Sequence, residues 1–133
     1  MRARLERAEL PGDEIEQAIA ELSELGYLDD ARYARVFADD KRNLEDWGSE
    51  RIDRGLRERG IERHLIAAAL AEVAGEGDDE NERALALLRR RFPHASDDPR
   101  ERERALGVLI RKGYDSELAY DAVRAWSAGS ATR

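Results

Sequence analysis

The segment GLRERGIERHLIAAAL (55–70) contains the end of one helix, a glycine turn and the start of another helix, and it guides the interpretation of the whole chain. Two further segments align with it, ELSELGYLDDARYARV (21–36) and VLIRKGYDSELAYDAV (108–123). The aligned turn residues are Gly26, Gly60 and Gly113. Each has a leucine four residues before it and an apolar or aromatic residue directly after it. Because glycine ends a helix in the left-handed conformation at little cost, we predict a helix–turn–helix unit in each segment.

Apolar residues recur at the helical period along the chain, and they predict seven helices with short connections. The predicted core stripes are Ile15, Ile19 and Leu22; Ala31, Ala34, Phe37 and Ala38; Ile52 and Leu56; Leu65, Ile66, Ala69, Leu70 and Val73; Ala84, Leu85, Leu88 and Phe92; Ala105, Leu106, Leu109 and Ile110; and Leu118, Ala119, Ala122, Val123 and Trp126. Repeated helical units that bury a core between neighbours form an elongated body. The fold class is therefore predicted to be all-α, built from helical repeats.

Polar residues that cap helix N-termini stand before most of these stripes. The predicted caps are Asp13 with Glu16, Ser49, Asp79 with Glu82, Asp98 followed by Pro99 and Glu101, and Asp115. The pair Asp29 and Asp30 is predicted to cap a helix that begins near Ala31, rather than to hold a cation. These signals place the predicted helix starts.

Composition excludes several classes of protein. The chain has no cysteine, so disulfides, thiolate metal sites and a cysteine nucleophile are excluded. No apolar run approaches the roughly 20 residues that a membrane-spanning helix needs, and the segment MRARLERAEL (1–10) is too charged for a signal peptide. We therefore expect a cytoplasmic protein without a membrane partner, and we expect it to be a monomer.

Charge is distributed unevenly along the chain, whose formal net charge is −7. Residues 1–82 contain 12 basic and 23 acidic groups, a net charge of −11, whereas residues 83–112 contain nine basic and four acidic groups, a net charge of +5. Such asymmetry indicates a charged partner that has its own pattern of sign.

Four blocks of the sequence, in the same order, resemble the RecX family of RecA regulators. They are GYLDDARYARVFADDKR (26–42), WGSERIDRGLRERGI (47–61), ERALALLRRRF (82–92) and ALGVLIRKGYDSELAYDAV (105–123). The resemblance covers roughly residues 14–126. Family members usually open with an additional pair of helices, whereas only Met1–Asp13 precede the first clear helix here. Either the chain is truncated or its first repeat is short.

The resemblance implies tandem three-helix repeats in a curved array. On this basis we expect a first repeat at 1–45, a second at 46–77, a third at 78–127 and a disordered tail at 128–133. The resemblance also implies binding along the groove of the RecA–DNA filament, with inhibition of recombinase, ATPase and co-protease activity. RecA and single- or double-stranded DNA are therefore the expected partners.

Basic residues near predicted helix ends are the candidate contacts with the filament or with DNA. They are Arg57, Arg59, Arg89, Arg90, Arg91, Arg111 and Lys112. Arginine matches phosphate and carboxylate groups through its fixed fork of donors. The alternative is that basic residues stand at helix C-termini because the helix dipole favours them there. Both interpretations can hold for the same residue.

No constellation of residues in the sequence points to catalysis. His64 and His94 are isolated, and the chain lacks a zinc-protease motif, a nucleophile elbow and a phosphate-binding loop. We expect no enzyme activity, no cofactor and no metal. The aromatic residues are predicted to pack in the core rather than to stack on bases: Tyr27, Tyr33, Trp47, Tyr114, Tyr120 and Trp126.

A stand-alone helix-turn-helix DNA-binding protein is the alternative function. Helix–glycine–helix units are compatible with such a protein. However, RIDRGLRERGIER (51–63) mixes basic and acidic residues where a recognition helix usually clusters basic ones, and the net charge of −7 also disfavours a DNA reader.

Overall fold

The computed structural model describes residues 12–74 and 80–129, and within these ranges the backbone forms six helices and no strand. The helices are α1 (Gly12–Glu45), α2 (Ser49–Glu58), α3 (Arg63–Ala74), α4 (Glu80–Arg91), α5 (Pro99–Lys112) and α6 (Ser116–Ala128). The all-α prediction is confirmed. Among the described residues the prediction of seven helices is wrong, because the first two predicted helices are one.

Two separate apolar cores divide the described helices into two three-helix units in tandem. Helices α1, α2 and α3 share one core, made of Ala34, Phe37, Ala38, Ile52, Leu56, Ile61, Leu65, Ile66 and Ala69. Helices α4, α5 and α6 share the other, made of Ala84, Leu87, Leu88, Ala105, Val108, Leu109, Tyr114, Ala119, Ala122, Val123 and Trp126. Each fully buried leucine or isoleucine contributes about 1.5–3 kcal/mol relative to exposure, so each unit has a core of its own.

Most of the predicted core residues in the described part of the chain are buried, and the side chains of Ile15, Ile19 and Leu22 lie outside it. Leu87 and Val108 join the core although the sequence analysis did not single them out, and Ile110 is 43% exposed although it was predicted to be buried. The repeat boundaries at 45/46 and 77/78 stay a prediction.

Glycine turns end α2 and α5 in the same way. Gly60 and Gly113 have φ angles of 79° and 94°, the left-handed conformation that favours glycine. The N–H of the following residue donates to the carbonyl five positions back, from Ile61 to Leu56 and from Tyr114 to Leu109, both at 3.1 Å. This is a Schellman turn, in which the residue after glycine folds back onto the helix it follows. Both predicted turns are confirmed.

Gly26 is not a turn, and here the prediction is wrong. It lies inside α1, which runs for 34 residues without a break. Tyr27 is 46% exposed, whereas its counterparts Ile61 and Tyr114 are 8% and 2% exposed. Among the described residues no apolar core receives Tyr27, whose ring instead stacks on that of His64 with the ring centres 5.7 Å apart. A glycine in a helix interior costs only about 0.5–1 kcal/mol relative to alanine, so the helix continues.

The predicted caps have mixed outcomes. Asp98 accepts a hydrogen bond from the Arg100 N–H at 3.1 Å, and Asp115 accepts one from the Leu118 N–H at 3.3 Å, so both are confirmed. Asp29 and Asp30 cap nothing, because they lie inside α1. Asp79 and the side chains of Asp13 and Glu16 lie outside the described residues, as do segments 1–11 and 130–133.

The aromatic residues divide between the core and the surface. Tyr114 and Trp126 are buried as predicted, and Trp47 is partly buried against the core of the first unit. The core prediction is wrong for Tyr27, Tyr33 and Tyr120, which are 46–56% exposed. Their helical spacing matched a core stripe, but they lie on the flanks of their helices.

Backbone groups join the two units where the end of α5 meets the start of α2. The Gly48 N–H donates to the Lys112 carbonyl at 2.7 Å, and the Glu50 N–H donates to the Gly113 carbonyl at 3.0 Å. The first N–H groups and the last carbonyls of a helix have no partners within the helix. Each of these two helix ends therefore satisfies the other, and their dipoles attract each other.

A carboxylate from the second unit completes the cap of α2. Glu80 Oε1 accepts hydrogen bonds from the Ser49 N–H at 3.1 Å and from the Ser49 hydroxyl at 2.6 Å. The predicted cap at Ser49 is therefore wrong. Gly48 occupies the cap position without a side-chain hydrogen bond, and Ser49 is the first helical residue.

The junction also requires two glycines because the backbones approach closely. A Cβ atom at Gly48 would lie 2.5 Å from the Gly113 carbonyl oxygen, and one at Gly113 would lie 2.1 Å from the Arg51 Cβ atom. Neither neighbour is the flexible end of a side chain, so a larger residue at either glycine forces the units apart.

The substitution Gly26→Ala tests the continuity of α1. An added Cβ has nothing within 4 Å, so alanine is expected to raise the helical circular-dichroism signal and the free energy of unfolding, the latter by about 0.5–1 kcal/mol. Gly60→Ala is the matched control, since its Cβ also meets nothing but its φ is positive. It is expected to cost about 1–2 kcal/mol. Equal losses in both variants would contradict the continuous helix.

The substitution Gly48→Ala tests the junction. The clash with the Gly113 carbonyl is expected to lower the free energy of unfolding by about 1–3 kcal/mol and to split or broaden the calorimetric transition. Gly107→Ala is the control, because its Cβ meets only the movable end of the Arg111 side chain, at 3.0 Å. If both variants unfold alike, the glycine contact does not couple the units.

Candidate partner-binding surface

Two of the predicted contact residues, Arg90 and Lys112, lie at the junction between the units. The Lys112 ammonium donates to the Glu45 carbonyl at 2.9 Å, and the Arg90 guanidinium donates to Asp46 Oδ1 at 3.0 Å. Both residues therefore bind groups at or just after the end of α1, so in this structure they connect the second unit to the first. The helix-dipole interpretation describes Lys112 well, because it neutralises a C-terminal carbonyl. That helix, however, is α1 and not its own.

Arg83 and Arg51, which the sequence analysis did not single out, make equivalent contacts. Arg83 donates to the Arg42 carbonyl at 2.6 Å, so it satisfies another carbonyl near the end of α1. Arg51 donates in the opposite direction, from the first unit to the Arg111 carbonyl at 3.0 Å. Each unit thus supplies cations to a helix C-terminus of the other. No sequence signal identifies these residues, because their partners lie 41 and 60 positions away.

Tyr114 is buried in this junction, and its hydroxyl donates to the Asp46 carbonyl at 3.2 Å. Burial raises the pKa of the Tyr114 phenol above its ordinary value. The phenol therefore stays neutral and keeps its proton for this hydrogen bond. Asp46 itself has a φ of 59°, the left-handed region that aspartate tolerates better than most residues.

Arg57 and Arg59 lie at the end of α2 and have local partners. Arg57 forms an ion pair with Asp53 at 3.3 Å, one helical turn earlier. Arg59 donates to the Gly55 carbonyl at 2.8 Å, and its guanidinium lies 4.7 Å from the centre of the Phe37 ring. Both side chains remain exposed and accessible to a partner, but binding there has to compete with these contacts.

Arg89, Arg91 and Arg111, the other predicted contacts, are exposed. None of the three forms an ion pair with a residue in the described ranges 12–74 and 80–129. Their charges are therefore available to an external anion. The three consecutive arginines therefore differ, because Arg90 pairs with Asp46 while Arg89 and Arg91 form no ion pair with a described residue.

Three further arginines of α5 are also exposed without an ion pair to a described residue, and the sequence analysis did not single them out. They are Arg100, Arg102 and Arg104, all exposed and all without an ion pair to a described residue. Arg100, Arg104 and Arg111 lie on one flank of α5, because they are spaced by four and seven residues. The alternation of Arg and Glu in PRERER (99–104) concealed them, although the positive charge of residues 83–112 already included them.

The described part of the chain contains no group of three or more histidine, cysteine, aspartate or glutamate side chains placed to hold a metal ion. Of its six helices, none combines the length and the apolar character that crossing a lipid bilayer requires.

Family models and similar proteins agree on the origin of these units. The model of the second three-helix domain of RecX matches residues 29–70, and that of the third three-helix domain matches residues 78–123. These ranges coincide with the two apolar cores, and they show that the three-helix arrangement is a property of the family.

Curated relatives named "Regulatory protein RecX" match along most of the chain. The protein from Trichlorobacter lovleyi is 36% identical over 89% of this chain and 78% of its own length. The one from Streptomyces coelicolor is 27% identical over 90% of this chain, and the one from Deinococcus radiodurans is 32% identical over 93%. The chain spans 64% and 58% of the length of these last two relatives. With both family domains in tandem and a relative this similar, the chain belongs to the RecX family of regulatory proteins.

Proposed function

We propose that this protein binds the RecA nucleoprotein filament and inhibits its recombinase, ATPase and co-protease activities. One observation supports the proposal beyond family membership. The second unit exposes arginines that form no ion pair with a described residue, while hydrogen bonds at the junction join that unit to the acidic first unit. On this proposal the protein works as a monomer in the cytoplasm, where RecA forms filaments.

Inhibition then results from occupying the filament and requires no covalent step. Arginine binds carboxylate or phosphate through two parallel hydrogen bonds, and the filament offers both groups, on protein and on DNA. Contacts made by two linked units add with little further loss of freedom, because the second contact is intramolecular once the first has formed. A rigid junction keeps this advantage, since it fixes the spacing between the contacts.

A stand-alone DNA-binding protein remains the second candidate, because α2, the Gly60 turn and α3 form a helix–turn–helix arrangement. The composition of α3 counts against it. The second helix of such an arrangement enters the DNA groove, and Arg63 is the only lysine or arginine of α3. On α2, Arg51 is engaged at the junction and Arg57 pairs with Asp53. The larger group of exposed arginines that form no ion pair with a described residue lies on α4 and α5.

Reversing the charges of Arg89 and Arg91 to glutamate tests the proposed surface. Each lost charged hydrogen bond costs about 1.5–3 kcal/mol, so the concentration for half-inhibition of the RecA ATPase on single-stranded DNA is expected to rise by at least about tenfold. Arg90 is left unchanged, because its reversal would also disrupt the contact with Asp46. The control reverses Arg54 and Arg63, two exposed arginines of the first unit. Equal loss in both pairs, or in neither, contradicts the proposal.

Binding to bare duplex DNA and to RecA-coated single-stranded DNA, measured as salt is raised, separates the two candidate functions. A filament regulator is expected to bind the coated strand far more tightly at every salt concentration. A helix–turn–helix protein binds the bare duplex, with an affinity that falls steeply as salt rises. Comparable affinities for both substrates would favour the helix-turn-helix candidate and contradict the filament proposal.

A further inference from the structure

A small cleft lies where the end of α4 meets the first turn of α5. Its cavity volume is about 210 Å³. Among the residues that line it are Arg91, Phe92, His94, Glu101, Arg104 and Trp126. The cleft therefore joins an apolar floor to a charged rim.

The floor is aromatic and rigid. Phe92 and Trp126 meet edge to face with their ring centres 5.8 Å apart, and the Trp126 indole N–H donates to the Phe92 carbonyl at 3.0 Å. Trp126 is only 4% exposed. The floor can therefore contact an apolar side chain, but it offers no open tryptophan face on which a base could stack.

The rim is basic. Arg91 comes from the last turn of α4 and Arg104 from α5, and neither forms an ion pair with a described residue. Glu101 is the one carboxylate among the six side chains named above, so the two guanidinium groups outnumber it. An anion that enters the cleft meets two arginines whose donors are not used by other charges.

We propose that this cleft binds an acidic peptide segment of a partner protein, with a carboxylate between Arg91 and Arg104 and an apolar side chain on the floor. Bidentate arginine–carboxylate pairing supplies the orientation, and the ring edges supply the apolar contact. A nucleic-acid strand fits less well, because strand-binding proteins stack successive bases on open aromatic faces. The inference goes beyond the proposed function and does not depend on it.

Fluorescence anisotropy with a labelled synthetic peptide, Asp-Glu-Asp-Phe-Glu-Asp, tests the cleft without RecA present. The full chain is expected to bind this peptide and not its amide analogue, Asn-Gln-Asn-Phe-Gln-Asn. Arg104→Gln is expected to weaken binding about tenfold, since one charged hydrogen bond is lost. Arg63→Gln is the control, because Arg63 is also exposed but lies outside the cleft, on the first unit; it is expected to bind as tightly as the parent.

Glu101→Gln is a second test, in which the affinity for the acidic peptide is expected to rise. Removing the carboxylate that repels the peptide is expected to tighten binding severalfold. A variant that merely loosens the fold would weaken binding instead. Unchanged or weaker binding by Glu101→Gln, or equal loss in Arg63→Gln and Arg104→Gln, would overturn the proposal.

Tryptophan emission locates the bound peptide. The chain has two tryptophans, so a Trp47→Phe background leaves Trp126 as the reporter, and the acidic peptide is expected to shift its emission. No shift on saturation would place the peptide elsewhere and overturn the proposal. A short oligothymidylate that binds more tightly than the peptide and displaces it would assign the cleft to nucleic acid instead. Because RecA is absent throughout, these results and the ATPase results can fail separately.

Discussion

The exchange of helix ends between the two units is the constraint on which the rest of the structure depends. The last carbonyls of α5 accept from the first N–H groups of α2, and Glu80 supplies the remaining cap. Lys112 and Arg83 in turn satisfy carbonyls at the end of α1. An unpaired backbone group away from water costs about as much as a lost hydrogen bond, so separating the units costs several contacts together. Polar contacts therefore hold the units in register although their apolar cores are separate.

This junction determines which basic residues remain available to a partner. Arg83, Arg90 and Lys112 belong to the same basic region as Arg89 and Arg91, yet only the last two are exposed without an ion pair to a described residue. A net positive charge in a stretch of sequence therefore overstates the charge that a partner meets. The proposed filament contact and the proposed peptide cleft both depend on exposed arginines of α4 and α5 that take no part in the junction.

The sequence predicts the cores and two of the three turns well, because both depend on neighbouring residues. At Gly60 and Gly113 the residue after glycine is buried, and the same local pattern at Gly26 fails since Tyr27 has no core to enter. A local sequence pattern does not show whether a helix that is distant in sequence packs against that side chain. The seven basic residues do lie at or beside helix C-termini, but the sequence does not reveal that Arg90 is paired with a residue 44 positions away. The cap at Ser49 was wrong for the same reason, because its acceptor Glu80 lies 31 positions away.

The distance between the two units in solution is the most direct test of this account. The chain has no cysteine, so Ala67→Cys and Ala86→Cys, both at exposed positions, place one spin label on each unit. Double electron–electron resonance is expected to give a single narrow distribution of the distance between the labels. Backbone hydrogen bonds and capped helix ends fix the second unit against the first. A broad distribution would show that the units move independently, and it would contradict the account.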